Sequence, residues 1–212
     1  MKTLTGMLLA ASLALPFSAS ALTLDYKGFY DRMDKLYEPD VNRMKLVFYF
    51  NHRKQHRPCR IDDGAILSHG KRLPLLIGDD QQLLLPFDRS LRESSAVIRV
   101  ELENENQCDF AMQLQAEVLD KTHYSAEDVA DIQLQMNTLM RAYAGIGFGW
   151  LQPEVKGLTF TLSSHSNARF STPGAEALVV DDNGRLTLTV DQFPAGAELV
   201  FSQAPHSISP LM

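Results

Sequence analysis

A chain of 212 residues with 45% apolar and 22% charged residues has the composition of a folded globular protein, which neither a disordered nor a collagen-like chain would show. Its formal charge of -6 argues against general affinity for nucleic acid or an anionic lipid surface. At this length one domain can bury roughly 70% of the surface its unfolded chain exposes.

Residues 1–21 read as a secretory signal peptide. Lys2 is followed by an apolar run from Met7 to Leu15, and Ala19, Ser20 and Ala21 supply the small side chains a signal peptidase inspects. The run falls short of the roughly 20 residues a membrane-crossing helix needs, and no later stretch reaches that length, so no membrane span is expected. The mature chain is expected to begin at Leu22 and to reside in the periplasm.

Over residues 26–37 the apolar side chains of Tyr26, Phe29, Tyr30, Met33, Leu36 and Tyr37 recur at steps of three and four, predicting a short amphipathic helix that Pro39 ends. From Met44 the run MKLVFYF predicts a strand. Polar residues 51–57 and a second extended segment at 58–61 complete a predicted hairpin with a protruding tip. Asp62-Asp63-Gly64 and Gly78-Asp79-Asp80 read as turns. Two alternating strands follow. In residues 96–102, Ala96, Ile98, Val100 and Leu102 face inward. In residues 108–118, Cys108, Phe110, Met112, Leu114, Ala116 and Val118 face inward, and Asp109, Ala111, Gln113, Gln115 and Glu117 form the wet face of an antiparallel sheet.

Ser125 with Asp128 three residues on predicts a capped helix. Its buried stripe is Val129, Ile132, Met136, Leu139, Met140 and Tyr143, and Gly145 is its stop. GIGFG at 145–149 follows a helix, so it reads as a hinge or aromatic turn rather than a phosphate loop, with Phe148 and Trp150 packing between two β-regions. Strands are predicted at 155–162, 177–180, 185–190 and 197–202, with Asp182-Asn183-Gly184 joining the middle two. The expected fold class is α+β, dominated by antiparallel β-sheet and sandwich-like, with an N-terminal helix and a central linking helix. The expected organisation after the signal peptide is a helix-plus-sheet domain at 22–124, the linking helix and Gly-rich turn at 125–153, and a small C-terminal β-domain at 154–212.

Cys59 and Cys108 are an even pair in an exported chain, which predicts a structural disulfide. They are not spaced as a redox-active C-x-x-C, and a zinc site would need two further ligands. No catalytic residue, metal site or cofactor is assigned. Asp181 to Gly184 lacks the spacing of a calcium loop. Glu101, Glu103 and Glu105 read as solvated charges, and Ser163, Ser164, His165 and Ser166 as a surface loop.

One asymmetry stands out. Between Val41 and Ile61 lie the cations Arg43, Lys45, Arg53, Lys54, Arg57 and Arg60 and no carboxylate. Arg53, Lys54 and Arg57, with His52 and His56 adding charge in mild acid, form a candidate anion-binding tip for an anionic envelope component or an acidic protein surface. The competing reading is a solvated tip that keeps an exposed hairpin from pairing with another sheet edge.

The segments LPFDRSLR (85–92), QCDFAMQLQAEVL (107–119), MNTLMRAYAGIGFGWLQPEVKGL (136–158) and ELVFSQAPHSISP (198–210) resemble successive blocks of a family of secreted proteobacterial proteins known as a domain of unknown function. The resemblance implies an envelope location and a disulfide-compatible cysteine pair, and no activity. The leading expectation is a non-catalytic binding or scaffolding protein of the periplasm. The alternative is an envelope hydrolase whose site is assembled from distant residues.

Overall fold

The computed structural model describes residues 21–55, 57–78, 80–117, 120–145 and 152–212. The expected leader up to residue 20, His56, Asp79, Val118, and the turn with Phe148 and Trp150 lie outside them.

Strand β1 (Ala21–Asp25) runs directly into helix α1 (Tyr26–Met33), where the Asp25 carboxylate caps the first turn by accepting from the Lys27 N–H at 3.0 Å. Tyr26, Phe29 and Met33 are its buried residues, at the expected spacing, and a 3₁₀ turn over Asp34–Tyr37 completes the segment before Pro39. Next come β2 (Met44–His52), β3 (Ile61–Ser68), β4 (Lys71–Pro74), β5 (Leu76–Ile77), β6 (Leu83–Leu84), α2 (Arg89–Glu93), β7 (Val97–Leu102) and β8 (Cys108–Ala116). The remainder contains β9 (His123–Ser125), α3 (Ala126–Ala144), β10 (Gly157–Thr161), β11 (Ala168–Phe170), β12 (Arg185–Leu188), β13 (Glu198–Phe201) and β14 (Ser207–Leu211).

Among the described residues these strands form three antiparallel sheets. Their orders are β1-β7-β3-β4, β12-β10-β14-β8-β2-β6-β5 and β11-β13-β9. The α+β class dominated by antiparallel sheet is therefore the observed one. The long sheet is a common wall. Met44 lies opposite Ala116, Leu46 opposite Leu114 and Phe50 opposite Phe110, so the even positions of β2 and β8 share a face. At one end of that face Phe48 and Phe50 pack with Ile66, Ile98 and Val100 of the four-stranded sheet and with Tyr26 and Phe29 of α1. Toward the other end Met44, Leu114, Ala116, Leu158, Phe160 and Ile208 pack with Val129, Ile132, Met136 and Leu139 of α3 and with Leu199 and Phe201 of β13. Residues on both sides of position 154 contribute to this second core.

The capping box at α3 is complete. Ser125 Oγ accepts from the Asp128 N–H at 3.1 Å, and the Asp128 carboxylate accepts from the Ser125 N–H at 3.0 Å. Gly145 closes the helix at φ 83°, a conformation that favours glycine. The disulfide between Cys59 and Cys108 is formed, with Cα atoms 6.2 Å apart.

Several expectations need correction. Asp62-Asp63-Gly64 is not a turn but part of β3, where the register against β7 shifts between Ile61 and Asp63. The hairpin from β2 is cut short: Asn51 bridges Pro58 and the Cys59 N–H donates to the Phe50 carbonyl, and the chain then leaves for the other sheet as β3. Phe110 and Met112 are 43% and 39% exposed although they alternate with polar residues, and Phe110 meets the core through contacts with Phe29, Phe48 and Phe50. Residues 177–180 make no strand with β12; Ala177 instead bridges Arg169.

Candidate functional site

The other face of the seven-stranded sheet is built from the alternate positions. Thr159 lies opposite Ser209 and Thr161 opposite Ser207, Arg185 lies opposite Thr161, and Gln113 and Gln115 project with them from β8. Between β14 and β8 a single pair, Ile208 with Ala116, is in register. Around that junction lies a cleft of about 410 Å³. It is lined by Tyr49, Asn51, Gln82, Gln113, Gln115, Thr159, Thr161, Ser207 and Ser209, with Pro58 and Pro210 and two charged residues, Asp80 and Arg185. The volume falls within the ordinary range of small-molecule sites.

The amides of β8 are held in a definite order. Tyr49 Oη donates to Gln113 Oε1 at 3.3 Å, and Gln115 Nε2 donates to the same oxygen at 2.9 Å. Gln115 is 5% exposed, yet its Oε1 has no hydrogen-bond partner. A buried acceptor left in this way costs about 1–3 kcal/mol. The contrast with Gln135, equally buried on α3, is informative. Gln135 Oε1 accepts from the N–H groups of Asn42 and Arg43, each at 3.2 Å, while its Nε2 donates to Asp131 and Asn42. One buried amide is fully used to hold structure, and the other, which belongs to the lining of the cleft, keeps a carbonyl oxygen without a partner.

Burial pushes the Tyr49 phenol above its ordinary pKa, against the opposing effects of Asn51 and Arg185. Tyr49 therefore stays a neutral hydroxyl throughout the physiological range. Asp80 and Arg185 are both exposed, and Gln82 Nε2 donates to the Asp80 carboxylate.

The predicted cationic tip continues from Asn51 and Pro58 of the cleft lining but has a different character. Arg53 donates to Asp109 Oδ1 through Nε and Nη2, at 2.9 and 2.7 Å, and Arg57 Nη1 donates to Glu103 Oε1 at 2.6 Å. The Arg57 hydrogen bond holds the Glu103 carboxyl below its ordinary range. Carboxylates absent from the local sequence thus arrive from β8 and from the turn after β7. Lys54 remains exposed at the tip. His52 points inward, 6% exposed, with its Nδ1 accepting from the Lys54 N–H at 3.3 Å. Arg53 and Arg57 are thereby each paired with a different carboxylate, Lys54 stays exposed, and His52 is turned inward.

Ser163, from the predicted surface loop, meets His206 rather than His165, with Oγ 2.9 Å from Nε2 in an exposed position. A second hollow of about 530 Å³ is lined mainly by apolar residues, among them Phe48, Leu73, Leu76, Leu83 and Leu84, together with Lys45 and Gln82.

Sequence reading missed the cleft because it treated the alternate positions of β8 only as a wet face. A signal was present: Gln113, Gln115, Thr159, Thr161, Ser207 and Ser209 are all uncharged amides or hydroxyls, where a merely solvated face usually carries Lys and Glu. The strand order that assembles them was not readable.

Comparison with curated proteins and with solved structures finds no match. A family model does match residues 18–162, which takes in the elements from β1 through β10 and stops before Arg185, Ser207 and Ser209. By that match, which covers most of the 212 residues, the chain belongs to the family described as protein of unknown function, DUF2987.

Proposed function

We propose that the protein is an exported, non-catalytic binding protein of the periplasm that holds a small polar ligand in the cleft over the seven-stranded sheet. The observation that carries this reading is the Gln115 carbonyl, buried and unpartnered in the lining of a concave surface made mostly of amides and hydroxyls. Export is supported by the leader-like amino terminus and by a formed disulfide, a bond that persists in oxidising compartments. Among the described lining residues there is no histidine, cysteine or lysine, and Asp80 is the single carboxylate. Hydrolysis needs a positioned acid and base within reach of one bond, so the hydrolase alternative draws no support from this lining.

The test uses mature protein, from Leu22 onward, mixed with the low-molecular-mass fraction of an envelope extract. The parent is expected to gain stability by mass action, about 2.7 kcal/mol when a ligand is present at a hundred times its Kd. Gln115→Leu should fold and gain nothing. If the two proteins respond alike, or neither responds, the cleft is not a binding site.

A further inference from the structure

We infer that the ligand of the cleft is a short, uncharged saccharide, an assignment that rests on the binding reading above. Its first basis is the unmet hydrogen bond at the buried end of Gln115. Gln115 Oε1 is an acceptor, so whatever completes it must bring a donor.

The second basis is the neighbouring group. Gln113 Oε1 already receives both Tyr49 Oη and Gln115 Nε2, so the Gln113 Nε2 donor and the Gln115 Oε1 acceptor are what these two amides have left to offer. Turning both amides over would exchange the two roles and still leave one donor and one acceptor. Adjacent hydroxyls of a sugar ring match such a pair, because each hydroxyl both gives and takes a hydrogen bond.

The rest of the lining has the same character. Thr159 and Thr161 on β10 and Ser207 and Ser209 on β14 place four hydroxyls on adjacent strands of one face. Asp80 and Arg185 carry opposite charges, so the cleft has no net bias toward an ionic ligand.

A peptide is disfavoured by position. Extended peptides are recognised by adding a strand at a sheet edge, whereas this cleft lies on a face, between β14 and β8 in the interior of the strand order.

The experiment measures binding by saturation-transfer NMR and calorimetry with defined probes: glucose, maltotriose, N-acetylglucosamine and its disaccharide, with triglycine and inorganic phosphate as comparisons. At least one neutral saccharide is expected to bind, with an affinity little changed between low and high salt. Gln115→Leu should weaken it at least tenfold. The double variant Thr161→Val, Ser207→Ala, which leaves the buried amides in place, should weaken it severalfold while its circular dichroism matches the parent. Binding of triglycine or phosphate in preference to every sugar would overturn the assignment, as would saccharide binding that both variants retain. Stabilisation by the envelope fraction with no response to any saccharide removes the saccharide assignment alone. Silence in both experiments leaves Gln115 satisfied by water only and removes the binding reading as well.

Discussion

Asp128 closes the first turn of α3 and also gathers two cations, Lys121 at 2.6 Å and Arg43 at 3.5 Å. Burial pushes its carboxyl up, but the hydrogen bonds from Lys121 and Ser125 outweigh that and hold it below the ordinary carboxylate range. A carboxyl whose folded pKa is depressed stabilises the fold fully above its unfolded value, about 3.9, and loses that contribution as pH falls through the lower folded value. The parent should therefore lose stability in this step below about pH 4, and Asp128→Asn should show a flatter profile there. At neutral pH the substitution is expected to cost about 1 kcal/mol in urea unfolding. Position 128 was legible because its partner Ser125 is three residues away. The Arg53–Asp109 and Arg57–Glu103 pairs were not, since their partners lie 56 and 46 residues along the chain.

At the level of elements, legibility followed length and regularity. The 19-residue helix α3 and the alternating strand β7 could be read because many side chains repeat one period. Strands β9 and β11 have three residues each and β14 contains Pro210, so each offers too few turns of the pattern to stand out; their pairing comes from distant segments. The same holds for the cleft, whose residue types were visible but whose strand neighbours were not. Gly157, at the start of β10, shows a constraint that exists only after pairing. A Cβ there would collide with the Leu188 carbonyl and lie 3.0 Å from Thr189 Cγ2. Gly157→Ala is expected to cost about 2 kcal/mol, measured as a lower urea midpoint, by forcing β12 away from β10. A parent-like midpoint would mean that the β10–β12 pairing yields easily.

Across the whole molecule, the seven-stranded wall and the disulfide are the long-range connections. The Cys59–Cys108 bond spans 49 residues and is buried within the core shared by the two larger sheets. Replacing both cysteines with alanine is expected to lower stability by about 4 kcal/mol on the chain-entropy account, as read from urea unfolding. The sequence placed a boundary near residue 154, and β10, β12 and β14 beyond it join β8 and β2 in one sheet. That strand order has a consequence in time. Strand β14, last in chain order among the described residues, sits in mid-sheet between β10 and β8. Until it arrives, the wall exists as two halves, each with a raw edge. That delay opens an interval in which the bare edges of β10 and β8 invite strands from other molecules, so the folding chain is most exposed to mispairing before its last described strand arrives.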